Sequence, residues 1–340
     1  MGTVSPAASA KIGVLSFAGI VCIALLHVPW SQPSAAQQLL WRFLYAVCPT
    51  ALAFYFAFAG FFLARHWQEP GWWRRAVAKR VFSLVVPYFI WLLAFLSIFA
   101  FIRPDFSFYH GVGLASLLGF VPWDPPRLVP LWFLRTLFLF TLISPLVVKA
   151  IRAGHGVPLL AAIYALDLAY FGACAAGVIG RDTPYVGSFF WYGFNLDGFF
   201  YFVLGVHLTV RPFQLPGAKA ARACGCAAAA LIALHMALAV LLGYGDEVYP
   251  SAVVAPFLAV WIWHVTPAGR LPALFRGVSF PIYLMHVIVL EVYCHYRGWS
   301  GKDAAECLLI LALEIFVPIF VCRGLGRIAP RLAPLLFGGR

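Results

Sequence analysis

Residues 81–102 read VFSLVVPYFIWLLAFLSIFAFI, an unbroken apolar run without one charged side chain. About 20 such residues form a helix long enough to cross the hydrocarbon core of a bilayer. In the whole chain of 340 residues, 63% are hydrophobic and 11% are charged, whereas a soluble domain carries about 25% charged residues. A soluble core cannot bury this much apolar surface, so the composition predicts an integral membrane protein.

Similar apolar runs recur along the chain and predict an all-α polytopic membrane protein with about ten transmembrane helices. The predicted spans cover residues 12–30, 43–64, 81–102, 130–149, 157–179, 189–210, 223–243, 250–267, 278–296 and 304–322. The longest predicted loop, 103–129, contains an apolar stretch that is too short to span and predicts a re-entrant or interfacial segment. No stretch is long and polar enough for a soluble domain, so residues 1–340 are predicted to form one membrane domain.

The basic side chains predict the orientation of these spans. Most of the 24 Lys and Arg residues fall in loops on one side, which the positive-inside rule assigns to the cytoplasm together with both termini. The net charge of +12 is therefore interpreted as a signal of topology and of contact with membrane lipids, and no nucleic-acid partner is predicted. The Ala- and Arg-rich composition favours a bacterial inner (plasma) membrane.

Two histidines are the most informative ionisable residues. His27 lies near the predicted outer end of the first span, and His286 lies in the ninth. An ionisable side chain in hydrocarbon is costly, so its presence suggests a functional site. Histidine is also the side chain best suited to proton transfer near neutral pH. The structural alternative is an imidazole that only donates a hydrogen bond to a neighbouring carbonyl.

Three of the charged residues in the predicted spans are expected at a depth similar to that of these histidines. A rise of about 1.5 Å per residue places Arg135, Asp197 and Glu291 in the outer half of the bundle or near it. We expect them to surround one cavity together with His27 and His286. The structural alternative for Arg135 and Asp197 is an ion pair that holds two helices together.

Six strings of this chain follow one another in an order that is typical of one family. They are GIVCIALLHVPW at 19–30, TALAFYFAFAGFFLAR at 50–65, KRVFSLVVPYFIW at 79–91, PLWFLRTLFLF at 130–140, GFFYFVLGVHL at 198–208 and SFPIYLMH at 279–286. Together they resemble the membrane-bound acyltransferase 3 family, and the compact chain is similar to its fucose 4-O-acetylase-like sugar O-acetyltransferases. One departure is Ser16, which stands where many members carry an Arg eleven residues before the first-span His.

The resemblance implies an integral membrane O-acyltransferase. It would move an acyl group, acetyl in the first place, from cytoplasmic acyl-CoA to a hydroxyl of a cell-surface or lipid-linked glycan. His27 would be the general base, or would carry the acyl group as a covalent acyl-His. Arg135 would stabilise the oxyanion, and Asp197 or Glu291 would orient a histidine such as His286.

A basic cluster precedes the third predicted span and comprises Arg74, Arg75, Lys79 and Arg80. In an acyltransferase these side chains would bind the phosphates of acyl-CoA, first of all acetyl-CoA, at the cytoplasmic surface. Their alternative role is a topology signal attracted to anionic lipid. No metal cofactor is predicted. The rival functions are a transporter or flippase of a glycan or lipid intermediate and a non-catalytic partner in envelope glycan assembly.

Overall fold

The fold is helical throughout the part of the chain that the computed structural model describes. That part comprises residues 5–30, 35–102, 131–180, 183, 189–211, 216–242, 251–299 and 302–338. It contains no β-strand, as predicted for the all-α class. Helices satisfy every interior backbone hydrogen bond within one segment, which is what a chain in hydrocarbon requires. The predicted re-entrant segment in 103–129 lies outside the described residues.

The helices overlap every predicted span, although the second predicted span, 43–64, is divided between two helices. In chain order they are α1 Pro6–His27, α2 Ala35–Val47, α3 Thr50–Ala64, α4 Trp72–Arg80, α5 Val86–Ile102, α6 Trp132–Ala150, α7 Gly156–Ala175, α8 Leu196–Val210, α9 Ala218–Leu242, α10 Ser251–Val265, α11 Ser279–Arg297, α12 Ala304–Ile328 and α13 Ala333–Phe337. A π-helical turn, Val81–Val85, joins α4 to α5 without a break. The short α13 was not predicted from the sequence.

Six helical segments in the described residues are long and apolar enough to cross a membrane. They are Pro6–His27, Gln37–Ala64, Trp72–Ile102, Trp132–Ala175, Ala218–Leu238 and Ala304–Ile328. Two shorter apolar helices cover Leu196–Val210 and Val253–Val265. These segments support an integral membrane protein, while the total of ten spans and the cytoplasmic position of both termini stay predictions.

The segment Trp132–Ala175 contains two helices. At about 1.5 Å per residue a straight helix of this length would measure roughly 66 Å, far more than a bilayer core. The backbone instead breaks at Gly154, which has a φ of 93°. Glycine adopts this conformation without the steric penalty that a Cβ would bring. The break separates α6 from α7, which the sequence predicted as two spans.

Helices α3 and α8 form the closest helix pair in the core. A Cβ on Gly60 of α3 would collide with the backbone oxygen of Phe202, and a Cβ on Gly205 of α8 would collide with that of Ala57. Small residues at such crossings let helix backbones approach and gain van der Waals contact. The pair forms the wall against which the helices of the candidate site pack.

Aromatic side chains fill the space beside this pair. The ring of Phe140 in α6 lies 5.6 Å from that of Phe56 and 5.2 Å from that of Phe202, measured between centroids. The rings of Phe194 and Phe199 lie 5.2 and 5.1 Å from Phe140. These are ordinary distances for tilted aromatic pairs, which add stabilisation beyond their buried area.

The C-terminal helix α13 packs against α5. The indole Nε1 of Trp91 donates a hydrogen bond to the backbone oxygen of Leu336 over 2.8 Å. The ring of Phe337 lies 6.1 Å from the ring of Trp91, between centroids, and is buried in the main core. The tail is therefore part of the bundle.

Candidate active site

The imidazole of His27 stands at the last residue of α1. Its Nδ1 lies 2.8 Å from the backbone oxygen of Ile23. A carbonyl oxygen only accepts, so Nδ1 carries the hydrogen and donates it. In the neutral ring this leaves Nε2 with a free lone pair, which is the atom that can take a proton from a substrate. The backbone of α1 thus orients the base.

His286 is in the same chemical state on α11. Its Nδ1 lies 2.8 Å from the backbone oxygen of Tyr283 and 3.1 Å from that of Ile282. The side chain is fully buried, and its Nε2 has no hydrogen-bond partner in the described part of the chain. A buried acceptor without a partner is unusual and often marks a place where a ligand or a substrate binds.

The structure brings these two histidines together. Their ring centroids lie 5.0 Å apart, with the rings nearly perpendicular. The rings of Phe17, in the middle of α1, and Phe275, just before α11, lie 4.7 Å apart. Contacts in the same order along both segments show that α1 and α11 run in the same direction there, as the first and ninth spans are predicted to do.

A tyrosine connects Arg135 to this pair. Its half-buried guanidinium interacts with the side chains of Tyr88 and Tyr283. The ring of Tyr283 is 6.2 Å from that of His286, one helical turn further along α11. The two tyrosines were missed as site residues, although each belongs to a string that carries the family resemblance, namely the Pro-Tyr of 79–91 and SFPIYLMH.

No basic side chain of α1 takes the place of the Arg that the family carries at Ser16. Tyr55 donates its hydroxyl hydrogen to the backbone oxygen of Ser16. Lys11 donates to the backbone oxygen of Trp263 over 3.0 Å and lies over its ring. Sixteen residues of helix, about 24 Å, separate Lys11 from His27. Within the described residues, Arg135 reaches the histidine pair only through Tyr283, whose ring lies 6.2 Å from that of His286.

Asp197 belongs to a different group of side chains from the histidine pair. It lies near the start of α8, where its carboxyl interacts with Asp167 of α7 and with the hydroxyls of Tyr164 and Tyr201. The expected Arg135–Asp197 ion pair is not present among the described contacts. The prediction that Asp197 shares one cavity with His27 gains no support from this placement.

Glu291 is buried in the same helix as His286. Five residues of helix turn it about 140° away from His286 around the axis. It lies near Cys294, as does the fully buried Glu314 of α12. The predicted orienting role of a carboxylate is filled by backbone, because both histidine Nδ1 atoms donate to carbonyl oxygens.

The basic cluster on α4 is partly engaged. Arg75 forms an ion pair with Glu69 at 2.6 Å and donates to the backbone oxygen of Pro70 over 2.7 Å. The hydrogen bond from His66 and the charge of Arg75 lower the pKa of the Glu69 carboxyl below its usual value. Arg74 and Lys79 are exposed and have no ion pair within the described residues. Arg80 is half-buried.

No group of three or more His, Cys, Asp and Glu side chains in the described ranges is arranged to hold a metal ion. The site offers two imidazoles, a guanidinium and tyrosine hydroxyls. Together they provide two proton acceptors and a positive charge, which is a set suited to attack on a carbonyl carbon.

The comparison with protein families assigns the chain to a family. The family described as "Acyltransferase domain", the acyltransferase 3 family, matches residues 14–299, which include both histidines, Arg135 and both tyrosines. Neither the curated proteins nor the solved structures contain a significant match to this chain. Because the family match covers most of the chain, the protein belongs to the acyltransferase 3 family and is a membrane acyltransferase.

Proposed function

We propose that this acyltransferase is an O-acyltransferase that uses cytoplasmic acyl-CoA, acetyl-CoA in the first place, as its donor. The acceptor is a hydroxyl of a cell-surface or lipid-linked glycan, as in the fucose 4-O-acetylase-like enzymes that the sequence resembles. The membrane is the bacterial inner membrane. The observation that carries this proposal is the contact between His27 and His286. In each ring, Nδ1 donates its hydrogen to a backbone carbonyl oxygen.

His27 acts as the general base in this mechanism. Its Nε2 takes the proton of the acceptor hydroxyl while the hydroxyl oxygen attacks the thioester carbonyl carbon. A new C–O bond forms, and the carbonyl oxygen gains negative charge in the tetrahedral intermediate. The C–S bond then breaks, and the leaving CoA thiolate takes the proton from His27. Ester and free CoA thiol are the products, so all atoms and charges balance.

His286 and Arg135 support this step. The positive charge of Arg135 stabilises the oxyanion, with the hydroxyls of Tyr88 and Tyr283 holding the guanidinium in place. The buried His286 ring packs against His27 and limits the access of water to it. In an apolar site a fixed positive charge acts far more strongly than it would in water.

Two exposed basic side chains of α4 are the proposed contact for the donor. Arg74 and Lys79 offer charge to the phosphates of CoA, whereas Arg75 is already paired with Glu69. Membership of an acyltransferase family favours this enzyme over the transporter or flippase that the sequence left open. No observation in the described residues favours the transporter.

The test is mass analysis of surface and lipid-linked glycans from cells with the chain, without it, and with His27→Ala. We expect glycans to lose the mass of one acetyl group per site when the chain is absent or carries His27→Ala. His264→Ala is the matched control, because His264 is an exposed histidine at the end of α10. Loss of a larger acyl mass would identify another acyl group. Full acylation with His27→Ala would show that His27 is not the base.

A further inference from the structure

The second group of ionisable side chains in the bundle lies between α7 and α8. The ring of Tyr164 on α7 lies 5.2 Å from that of Phe200 on α8. Gly156, at the start of α7, lies against His207 near the end of α8. These two contacts define one antiparallel register. The same register brings Asp167 opposite Asp197, and their carboxyls interact.

The Asp167 side chain is almost completely buried. It is 1% exposed, and its Oδ2 has no hydrogen-bond partner in the described part of the chain. Within the described helices, no Lys, Arg or His forms an ion pair with Asp167 or with Asp197. Two carboxylates that face each other in an apolar bundle repel strongly when both are ionised. The pair therefore needs a positive partner, and no described neighbouring side chain supplies one.

A buried hydroxyl lies beside the two carboxyls. Tyr201 on α8 is 3% exposed, and its hydroxyl also has no hydrogen-bond partner in the residues described. This hydroxyl interacts with both carboxyls and with Tyr164. A phenol hydroxyl can donate one hydrogen to a carboxylate oxygen, and a buried hydroxyl that lacks such an acceptor carries a free-energy cost. Tyr201 and Tyr164 are the titratable groups that act on the acid pair from α7 and α8.

A proton fits this site better than a metal ion does. A bound cation of higher charge generally needs several oxygen ligands and keeps a coordination shell. No third His, Cys, Asp or Glu joins the two aspartates in the described residues. A proton needs only two oxygens, one from each carboxyl, and leaves the pair with a single negative charge.

We propose that Asp167 and Asp197 share one bound proton and form an acid pair beside the hydroxyl of Tyr201. One carboxyl is a neutral acid that donates to the other, which is a carboxylate. The site is a proton-binding site inside the membrane bundle and is separate from the histidine pair. It does not depend on the proposed donor or acceptor of the acyltransferase.

The test is infrared spectroscopy of the full-length purified protein near neutral pH, with the aspartate side chains labelled with ¹³C. A protonated carboxyl has a carbonyl stretch that a carboxylate lacks, and the label separates aspartates from Glu291 and Glu314. Spectra are compared for the natural chain, Asp167→Asn, Asp197→Asn and the double variant. Asp303→Asn is the control, because Asp303 is exposed and its cap of α12 can be kept by Asn.

The same control calibrates the measurement. At acidic pH, the difference between the natural chain and Asp303→Asn gives the band intensity of one carboxyl. We expect the double variant, near neutral pH, to lose the intensity of one carboxyl. A loss equal to two carboxyls would mean that each aspartate binds its own proton and would overturn the proposal. No loss would mean that both are ionised beside another cation and would overturn it equally.

Tyr201→Phe keeps the proposal testable if an aspartate variant does not fold. It removes only one hydroxyl from a site that it helps to line. We expect the carboxyl band to keep its intensity and shift in frequency, because the pair loses the dipole of a neighbouring hydroxyl. A band of unchanged frequency would show that the protonated carboxyl does not lie beside Tyr201 and would overturn the proposal. A monodisperse elution peak and unchanged helical circular dichroism are required of every variant.

Discussion

At the scale of single residues, the two histidines differ in how they are held. His27 is partly accessible at the end of α1, whereas His286 is fully buried in α11. In both rings, Nδ1 donates its hydrogen to a backbone carbonyl oxygen. The accessible ring is therefore the one assigned to the acceptor hydroxyl, and the buried ring is assigned to the wall of the site.

Substitution of both histidines tests whether they act as one unit. We expect His27→Gln to lower kcat by about 10²- to 10⁴-fold, which is the usual contribution of a general base. His286→Gln should also lower kcat and leave the KM for acyl-CoA little changed. Residues that act together are not additive, so the double variant should lose little more than His27→Gln. Steady-state kinetics with His264→Gln as control checks this, and additive losses would show two independent roles.

Substitutions of the basic residues of α4 are expected to differ in their effect on the KM for acyl-CoA. Arg74→Ala and Lys79→Ala should each raise the KM for acyl-CoA by about tenfold or less, with kcat unchanged, because each loses one charged contact to phosphate. Arg75→Ala should have the smaller effect, because Glu69 already occupies its guanidinium. High salt should reduce all three differences. Arg270→Ala, an exposed Arg at the same predicted surface, is the control. Equal effects of all four substitutions would argue against a phosphate site.

At the scale of helices, the glycines of α3 and α8 explain how the wall of the site is built. Neither glycine has a backbone conformation that requires its flexibility, since both lie within regular helices. Their role is space, because the opposing backbone occupies the position of a Cβ. The helix pair packs through backbone contact, and the aromatic rings around Phe140 fill the groove beside it.

Added methyl groups at this crossing should separate the helices. Gly60→Ala or Gly205→Ala should destabilise the protein by about 1–3 kcal/mol, as overpacking of a core usually does. Gly13→Ala is a matched control in α1, because a Cβ at Gly13 would meet no atom within 4 Å. That control should leave the protein unchanged or slightly more stable, since Ala favours helix over Gly. Thermal unfolding in one detergent compares the three, and a stable Gly60→Ala protein would contradict the close packing.

At the scale of the whole molecule, the arrangement of helices agrees with the predicted alternation of spans where contacts define a direction. Helices α1 and α11 run in the same direction near the histidines. Helices α3 and α8 do so as well, since Phe56 lies against Gly198 and Thr209 donates to the backbone oxygen of Phe61 over 3.2 Å. These pairs are the first and ninth and the second and sixth predicted spans. Their directions agree with the predicted alternation of the spans, but they do not establish how many spans there are.

Accessibility in intact cells tests the topology. A membrane-impermeant thiol reagent added outside should label Tyr296→Cys, at the predicted outer end of α11, and should not label Arg270→Cys in the predicted inner loop before α11. Both positions are exposed, so the membrane alone should decide the difference. The parent chain, with its eight free Cys residues, gives the background. Labelling of Arg270→Cys in place of Tyr296→Cys would invert the orientation.

Local sequence was enough for the class of the protein and for its principal candidate residues. Whether a segment is a helix in a membrane depends on its own composition, so the apolar runs predicted the helices well. The two histidines stood out because an ionisable side chain in such a run is costly. The strings around them indicated the acyltransferase 3 family, to which the match over residues 14–299 assigns the chain.

Tertiary structure alone decided which of these residues meet. The rotation and register of a helix are set by packing against helices that are distant in the chain, and composition carries little information about them. This is why His27 was found beside His286 while Asp197 was found opposite Asp167. The orienting partner of each histidine, by contrast, is local, because the backbone carbonyl one helical turn away is within reach of its Nδ1.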